Sequence, residues 1–306
     1  MPVTQKSSID QAVRKYLAES RYTLQDRPGI IWRNIRSETL PQSQGPSVNI
    51  PKYGTITTYA LTEGVDMTQA QEITDTAMVI TPAEFGAQVV LTDLMLMTVK
   101  DEFFRVAGRL LGDSFDRQRE QTLCDDCDNF SVSFGADGTA LSLGAVMAAH
   151  AMVKSNYAAD GTASRGGEPA PEPIHGFFAP AQLHALRKTM AGHTAGAVVQ
   201  ASGGTASMGT PPTLSLTPYS EEFSVAGVNV HASINFNKAT DDTVKGAVLS
   251  KEAFIGVQLG GGPEAEKERD ASLRAWEVNF VGRWARGEYN DLWGREMLYE
   301  SARVTS

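Results

Sequence analysis

Apolar residues between positions 98 and 126 recur with the spacing of an α-helix. Thr98 is a suitable N-cap residue. Asp101 and Glu102 follow in the first turn, where the helix dipole favours negative charge. At about 1.5 Å per residue this helix would be roughly 40 Å long, so it requires an extended partner surface. The predicted apolar stripe consists of Val99, Phe103, Val106, Leu110, Leu111 and Phe115.

Before this helix the chain is rich in β-branched and aromatic residues. Strands are predicted at 55–61, 76–81 and 87–92, and Glu63–Gly64 is a turn signal between the first two. The prolines within 40–51 predict a loop or an extended arm there. Because an isolated two-stranded hairpin is marginally stable in water, we expect this excursion to lie on another surface.

The rest of the chain gives weaker signals. A helix is predicted at 9–19, but the first third of the chain contains few residues suited to a core. After the long helix the composition becomes rich in alanine and glycine. There the sequence predicts helices at 143–156 and 181–190, a strand at 173–178, a loop at 195–212, a hairpin around Ala226–Gly227, and C-terminal strands at 273–283 and 296–303.

Composition narrows the class of protein. Hydrophobic residues make up 42% of the 306 residues and charged residues 21%, which excludes wholesale disorder. No apolar run approaches the roughly 20 residues that span a bilayer, and no secretory signal is visible, so we expect a protein made in a reducing cytoplasm.

Charge is distributed unevenly along the chain. The net charge is −9, which makes a dedicated nucleic-acid reader a poor candidate. Residues 1–38 are nevertheless basic, with seven basic and four acidic side chains, whereas residues 39–94 have only Lys52 against six acidic side chains. These regions are either ordinary solvated surface or surfaces that each contact a group of opposite charge.

The cysteine, histidine and aspartate residues do not match the spacing of a known catalytic or metal-binding motif. Cys124 and Cys127 have the spacing of half a zinc site, but no second pair of ligands accompanies them, so inert thiols are predicted. An acidic cluster at the end of the long helix is predicted to form a solvated turn and not a cation site; it consists of Asp125, Asp126 and Asp128. We therefore predict no catalytic residue, no metal and no cofactor; the five histidines are expected to be structural: His150, His175, His184, His193 and His231.

Two longer segments and one short one resemble a known family. They are Ile80–Met97 (ITPAEFGAQVVLTDLMLM), Asp101–Asp116 (DEFFRVAGRLLGDSFD) and Val225–Ser233 (VAGVNVHAS). The first two resemble tailed-bacteriophage major capsid proteins of the Hong Kong 97-type fold, and the third is similar to a hairpin in the axial domain of that family. The close resemblance covers residues 47–127.

The resemblance implies an α+β capsid fold and a division of the chain into functional segments. It implies a peripheral domain that contains a long spine helix, and an extended β-hairpin called the E-loop. The segments are an N-terminal arm (1–45), the E-loop (46–93), the peripheral domain with its spine helix (94–130), an axial domain (131–262), and C-terminal strands that return to the peripheral domain (263–306).

The function implied is that of a major capsid protein and not of an enzyme. Its copies would form pentamers and hexamers of an icosahedral virion shell around double-stranded DNA, which is contacted non-specifically. The partners implied are scaffolding, portal and decoration proteins, with no membrane. An encapsulin-type compartment shell and a soluble hydrolase are the alternatives. Because a two-stranded ribbon cannot bury both of its faces, we predict that it contacts a neighbouring subunit through Ile56, Tyr59, Leu61, Glu63, Asp66, Met78 and Val79.

Overall fold

The computed structural model describes most of the chain and has a mixed α+β architecture. The helix predicted at 9–19 and most of the loop predicted at 195–212 lie outside the described residues, which are 29–41, 45–54, 56–64, 66–68, 70–98, 102–155, 168–197, 223–238, 242–260 and 263–301. Within these ranges the strands form two main sheets and a separate two-stranded ribbon.

The first sheet is built around one long central strand. Its five strands are β1 (Arg36–Leu40), β4 (Ala83–Thr92), β10 (Phe254–Leu259), β11 (Glu264–Asp270) and β12 (Ala275–Glu288). Strands β4, β10 and β11 pair antiparallel with β12, and β1 pairs parallel with β10. Strand β4 confirms the strand predicted at 87–92 and extends it towards the N-terminus.

The second sheet contains most of the alanine- and glycine-rich region. Its strands are β5 (Ser133–Gly135), β6 (Ile174–Phe178), β7 (Phe223–Val225), β8 (Val228–Ala232), β9 (Thr243–Ser250) and β13 (Gly294–Glu300). The strand order is β5-β13-β9-β6-β8-β7. The hairpin predicted at Ala226–Gly227 is confirmed. Both turn residues have positive φ, +51° and +83°, as a tight hairpin turn requires.

The described helices include those predicted at 98–126, 143–156 and 181–190. The helices are α1 (Ile30–Asn34), α2 (Asp93–Thr98), α3 (Glu102–Cys127), α4 (Leu143–Ser155) and α5 (Pro180–Ala197). The long helix predicted at 98–126 is α3, although residues 93–98 form the separate short helix α2. At 26 residues, α3 is about 39 Å long.

Helix α3 packs across the first sheet through aromatic side chains. The rings of Phe115 and Phe280 meet edge to face, with centroids 5.8 Å apart. Gly282 makes this contact possible, because a Cβ there would lie 2.3 Å from the Phe115 ring. Leu111 is buried beside Phe115, but Leu110 is 62% exposed, so its place in the predicted stripe is wrong. Neighbouring helix positions point about 100° apart, and only one of the two leucines faces the sheet.

The C-terminal end of α3 joins the two sheets through ion pairs. Asp126 binds Arg286 of β12 at 2.9 Å, and Asp128 lies 3.4 Å from Lys245 of β9. Asp125 accepts a hydrogen bond of 2.6 Å from Asn237. Acidic residues at a helix C-terminus are opposed by the helix dipole, and these partners offset that cost. The predicted solvated acidic turn is therefore a junction between elements.

The segment that precedes the ribbon is attached to the first sheet. Within residues 30–40, which the resemblance assigns to an arm, Ile31, Trp32 and Ile35 are buried, and β1 joins the first sheet. The strand predicted at 55–61 is wrong, since its described residues form no strand and are exposed. The pairing strand is instead β2 (Val48–Tyr53), which overlaps the end of the segment predicted as a loop or an extended arm. It tolerates Pro51 because it lies in a two-stranded ribbon, where both strands are edges.

The predicted segment boundary at 262/263 does not coincide with the sheets. Strand β10, from the segment 131–262, lies in the first sheet, and β13, from 263–306, lies in the second. Strand β13 carries the buried side chains Met297 and Tyr299 and pairs with both β9 and β5. The chain therefore passes between the two sheets on each side of this boundary.

Candidate functional site

A two-stranded ribbon projects from the first sheet. The ribbon and the loop that joins its two strands contain the seven residues predicted to contact a neighbouring subunit. The ribbon consists of β2 and β3 (Asp75–Ile80), paired antiparallel from Val48 opposite Ile80 to Tyr53 opposite Asp75. One further backbone hydrogen bond, from Gly54 N to Thr74 O at 2.8 Å, closes the ribbon at its outer end. Strand β3 confirms the strand predicted at 76–81.

The base of the ribbon is held by a small apolar cluster of its own. Ile50 and Ile80 are buried there with Leu40, Ile255 and Val257 of the first sheet. Burial of each such side chain contributes about 1.5–3 kcal/mol. The ribbon is therefore anchored to the subunit from which it rises.

Met78 belongs to this anchor. It is half-buried in the cluster, and its methyl group lies over Gly287, where a Cβ would come within 2.2 Å. The ammonium group of Lys52 lies 5.5 Å from the ring centroid of Tyr289. Met78 was predicted to contact a neighbouring subunit, but its side chain packs against the first sheet of its own chain.

Residues 56–74, which we call the 56–74 loop, extend beyond the ribbon and expose large apolar side chains. Ile56, Tyr59, Leu61, Met67 and Ile73 are each between 52% and 72% exposed. The predicted turn at Glu63–Gly64 is confirmed, and Gly64 has φ +80°, which glycine adopts without strain. Five large apolar residues exposed within one segment form the kind of surface that marks an interaction site.

The two limbs of the 56–74 loop enclose a hollow of about 680 Å³. Its walls include Ile56, Tyr59, Leu61 and Met67, together with Asp66. A side-chain bridge closes its inner end: the amide of Gln71 accepts a hydrogen bond of 2.9 Å from Thr57 N and donates one of 2.6 Å to Thr57 O. The hollow is apolar in its larger side chains and has a carboxylate on its wall.

Of the seven predicted contact residues, the structure brings Ile56, Tyr59, Leu61 and Asp66 together around this hollow. Glu63 lies at the turn, and Val79 projects from β3 with 61% of its surface exposed. Sequence reasoning missed Met67, Ile73 and Gln71. The first two are apolar residues in a polar stretch and gave a usable signal, whereas nothing in the sequence marked the Gln71 bridge.

A buried carboxyl group fastens the chain leading into the ribbon to the rest of the fold. Glu120 of α3 is only 3% exposed and accepts hydrogen bonds from Ile31 N at 3.1 Å and from Ser233 Oγ at 3.3 Å. Burial, with Asp116 adding repulsion, raises the pKa of Glu120 to about 7, although these hydrogen bonds and Arg119 act in the opposite direction. Glu120 thus joins α1, α3 and the turn after β8.

Glu120 makes the stability of the subunit depend on pH. The pKa of its carboxyl is about 7 in the folded state against an ordinary 4.5, so the folded chain retains a proton that the unfolded chain has lost. Its contribution is fully present below about pH 4.5 and is lost as the pH rises to about 7, a change on the order of 3 kcal/mol. Glu120→Gln should remove this change.

The test is the free energy of unfolding of dilute, unassembled subunits, measured by denaturant titration at pH 5 and pH 8. Wild type should lose stability relative to Glu120→Gln as the pH rises. Glu63→Gln, in the exposed turn, keeps Glu120 and serves as the control, so its stability should follow the wild-type dependence on pH. Parallel pH curves for wild type and Glu120→Gln would contradict the assignment.

Both cysteines and two of the five histidines are packed into the fold. Cys124 and Cys127 are buried free thiols, and burial raises the pKa of both well above the ordinary value of 9.0. His175 and His231 are buried on adjacent strands with Nδ1 and Nε2 3.0 Å apart. Across the described ranges, no three His, Cys, Asp or Glu side chains converge as a metal-binding group, and no helix is long and apolar enough to cross a membrane.

Comparison with solved structures identifies the architecture. The head structure of Helicobacter pylori bacteriophage KHP40 superposes with a TM-score of 0.66 at 9% identity, covering 87% of this chain and 88% of that one. The capsid of Ralstonia phage GP4 gives 0.62 at 13% identity, covering 89% and 88%. This chain has the phage capsid fold. The α+β fold implied by the sequence resemblance is thereby confirmed.

An encapsulin shares the same architecture. The holo-SrpI encapsulin complex from Synechococcus elongatus PCC 7942 superposes with a TM-score of 0.59 at 10% identity, covering 90% of each chain. No protein-family model and no curated protein sequence matches this chain. At these identities the likeness establishes the fold of the chain, and its function has to be argued from the site.

Proposed function

We propose that this chain is the major capsid protein of a tailed phage, and that its copies assemble into an icosahedral head around double-stranded DNA. The proposal rests on the 56–74 loop. This loop exposes five large apolar side chains, whereas the ribbon at its base is anchored to the first sheet of the same subunit. In a shell, a second copy would cover them. The phage capsid fold supports the same reading.

The proposed parts of the subunit follow the sheets more closely than the sequence boundaries. The first sheet with α3 as its spine helix forms the peripheral domain, and the second sheet with α4 and α5 forms the axial domain. The β2–β3 ribbon with the 56–74 loop is the E-loop, and the N-terminal arm ends before Gly29. The chain crosses between the two domains before β10 and again before β13, so we expect the two domains to be rigid with respect to each other.

The chemistry of the described residues supports a structural protein over an enzyme. The buried thiols of Cys124 and Cys127 have raised pKa values, so they remain protonated and unreactive at neutral pH. Glu120 and Asp126 are engaged in contacts between elements. We accordingly assign no catalytic residue and set the soluble hydrolase aside.

The partners proposed for the chain are those of a phage head. Pentamers and hexamers of the chain would form the shell, and a portal, a scaffolding protein and decoration proteins would complete it. DNA would be contacted without sequence preference, since a chain of net charge −9 is a poor candidate for a dedicated nucleic-acid reader. The chain would be made in the host cytoplasm and reside in the virion.

An encapsulin-type shell is the second candidate, because an encapsulin superposes about as well as the phage capsids do. The contents of particles purified from the organism that produces them distinguish the two. We expect nuclease-protected double-stranded DNA, measured by absorbance and by gel electrophoresis after protein removal. Particles that contain a stoichiometric protein cargo and no DNA would contradict the phage assignment.

A further inference from the structure

Gln71 holds together the two limbs of the 56–74 loop. Its side-chain amide forms both hydrogen bonds that a paired β-residue would form with Thr57: Thr57 N donates to Oε1 at 2.9 Å, and Nε2 donates to Thr57 O at 2.6 Å. The last backbone bond of the ribbon joins Gly54 and Thr74. Among the described residues beyond that bond no strand pairing continues, and the glutamine side chain takes its place.

The bridge lies where it determines the shape of the exposed apolar surface. Ile56 and Thr57 on one limb and Ala70 and Gln71 on the other form the inner end of the hollow. Tyr59, Leu61 and Met67 lie further out, on the stretch that the bridge encloses. An unbridged loop of this length samples many arrangements of its limbs, and each closure that is already formed reduces the entropy lost when a partner binds.

We propose that Gln71 is a positioning residue for assembly, which pre-shapes the 56–74 loop so that its apolar hollow fits a second copy of the chain. This inference rests on the proposed function, since it names a residue that prepares the same contact surface. Gln71 acts through the loop backbone, and the side chains that it positions make the contact. Pre-organisation of this kind strengthens association by lowering the ordering cost.

The test compares Gln71→Asn and Gln71→Ala with wild type. Asparagine keeps the amide but is one methylene shorter, so it cannot reach both Thr57 atoms, and alanine removes both bonds. Hydrogen exchange of the unassembled subunit should show faster exchange at Thr57 N–H in both variants. The critical concentration for assembly, measured by light scattering, should rise by about threefold to tenfold. Thr74→Ser, on the same exposed loop but outside the hollow, is the control and should leave both quantities unchanged.

The outcomes separate the inference from the proposed function. Faster exchange at Thr57 with an unchanged critical concentration would overturn the positioning role while leaving assembly intact. Unchanged exchange in Gln71→Asn would show that the bridge does not form, and would overturn the inference as well. A wild-type chain that never assembles would contradict the proposed function itself, and the role of Gln71 with it. Equal thermal unfolding midpoints for wild type and variants exclude a general loss of folding as the cause.

Discussion

Replacing residues 56–73 with a four-residue glycine–serine linker should yield a folded subunit that no longer forms closed particles. The ribbon below the replaced segment remains intact, because Ile50, Met78 and Ile80 keep their contacts with the first sheet. Short hairpin connections of two to five residues close antiparallel strands readily. The deleted segment removes five exposed apolar side chains, each worth about 1.5–3 kcal/mol when buried against a partner.

The measurements for this variant are circular dichroism for folding and electron microscopy for particles. Near-normal helix content together with the loss of closed shells would support the account. A matched variant, Glu72→Gln, changes an exposed residue of the loop that does not line the hollow, and should still assemble. If the linker variant unfolds, the 56–74 loop contributes to the subunit's own core. If it forms normal shells, the loop is not an assembly surface.

Phe115→Ala should destabilise the subunit by about 3–5 kcal/mol, a large share of the ~5–15 kcal/mol that stabilises a typical domain. The Phe115 ring is buried between α3 and the first sheet, in edge-to-face contact with Phe280 and directly over Gly282. Because Gly282 has no side chain to move into the space, the variant leaves a cavity. The expected result in cells is insoluble or misfolded subunit.

The matched control for this variant lies on the same helix. Leu110 is 62% exposed, and Leu110→Ala should change the free energy of unfolding by no more than about 0.5 kcal/mol. Both variants are compared with wild type by denaturant titration of the unassembled subunit. Equal losses of stability for Phe115→Ala and Leu110→Ala would mean that the face of α3 that packs on the sheet has been assigned wrongly.

The features predicted well from the sequence are those that depend on a pattern of residues close together along the chain. Helix α3 follows from residues spaced three and four apart, and the turn at Ala226–Gly227 follows from two residues that tolerate positive φ. The error at Leu110 arose because two adjacent leucines both satisfy a periodic pattern, while only Leu111 is buried. Periodicity finds the helix, but tertiary contacts select which edge of the stripe faces the sheet.

The features that were missed depend on contacts between distant residues. The alternating pattern of 55–61 predicted a strand. A strand of this kind requires a buried face and a paired neighbouring strand, and the described residues of the 56–74 loop have neither within their own subunit. Ile31 and Trp32 belong to a segment too short to show a period. Glu120 contacts Ile31 and Ser233, which lie 89 and 113 positions away along the chain. The Gln71 bridge likewise depends on a residue 14 positions away.

The central claim is that many copies of this chain close into a shell, and electron microscopy of the purified 306-residue chain tests it most directly. The protein is expressed alone and imaged over a range of concentrations and salt conditions, with light scattering on the same samples. The account predicts closed, icosahedral particles or their pentameric and hexameric building blocks. A chain that remains a monodisperse monomer under every condition would contradict it.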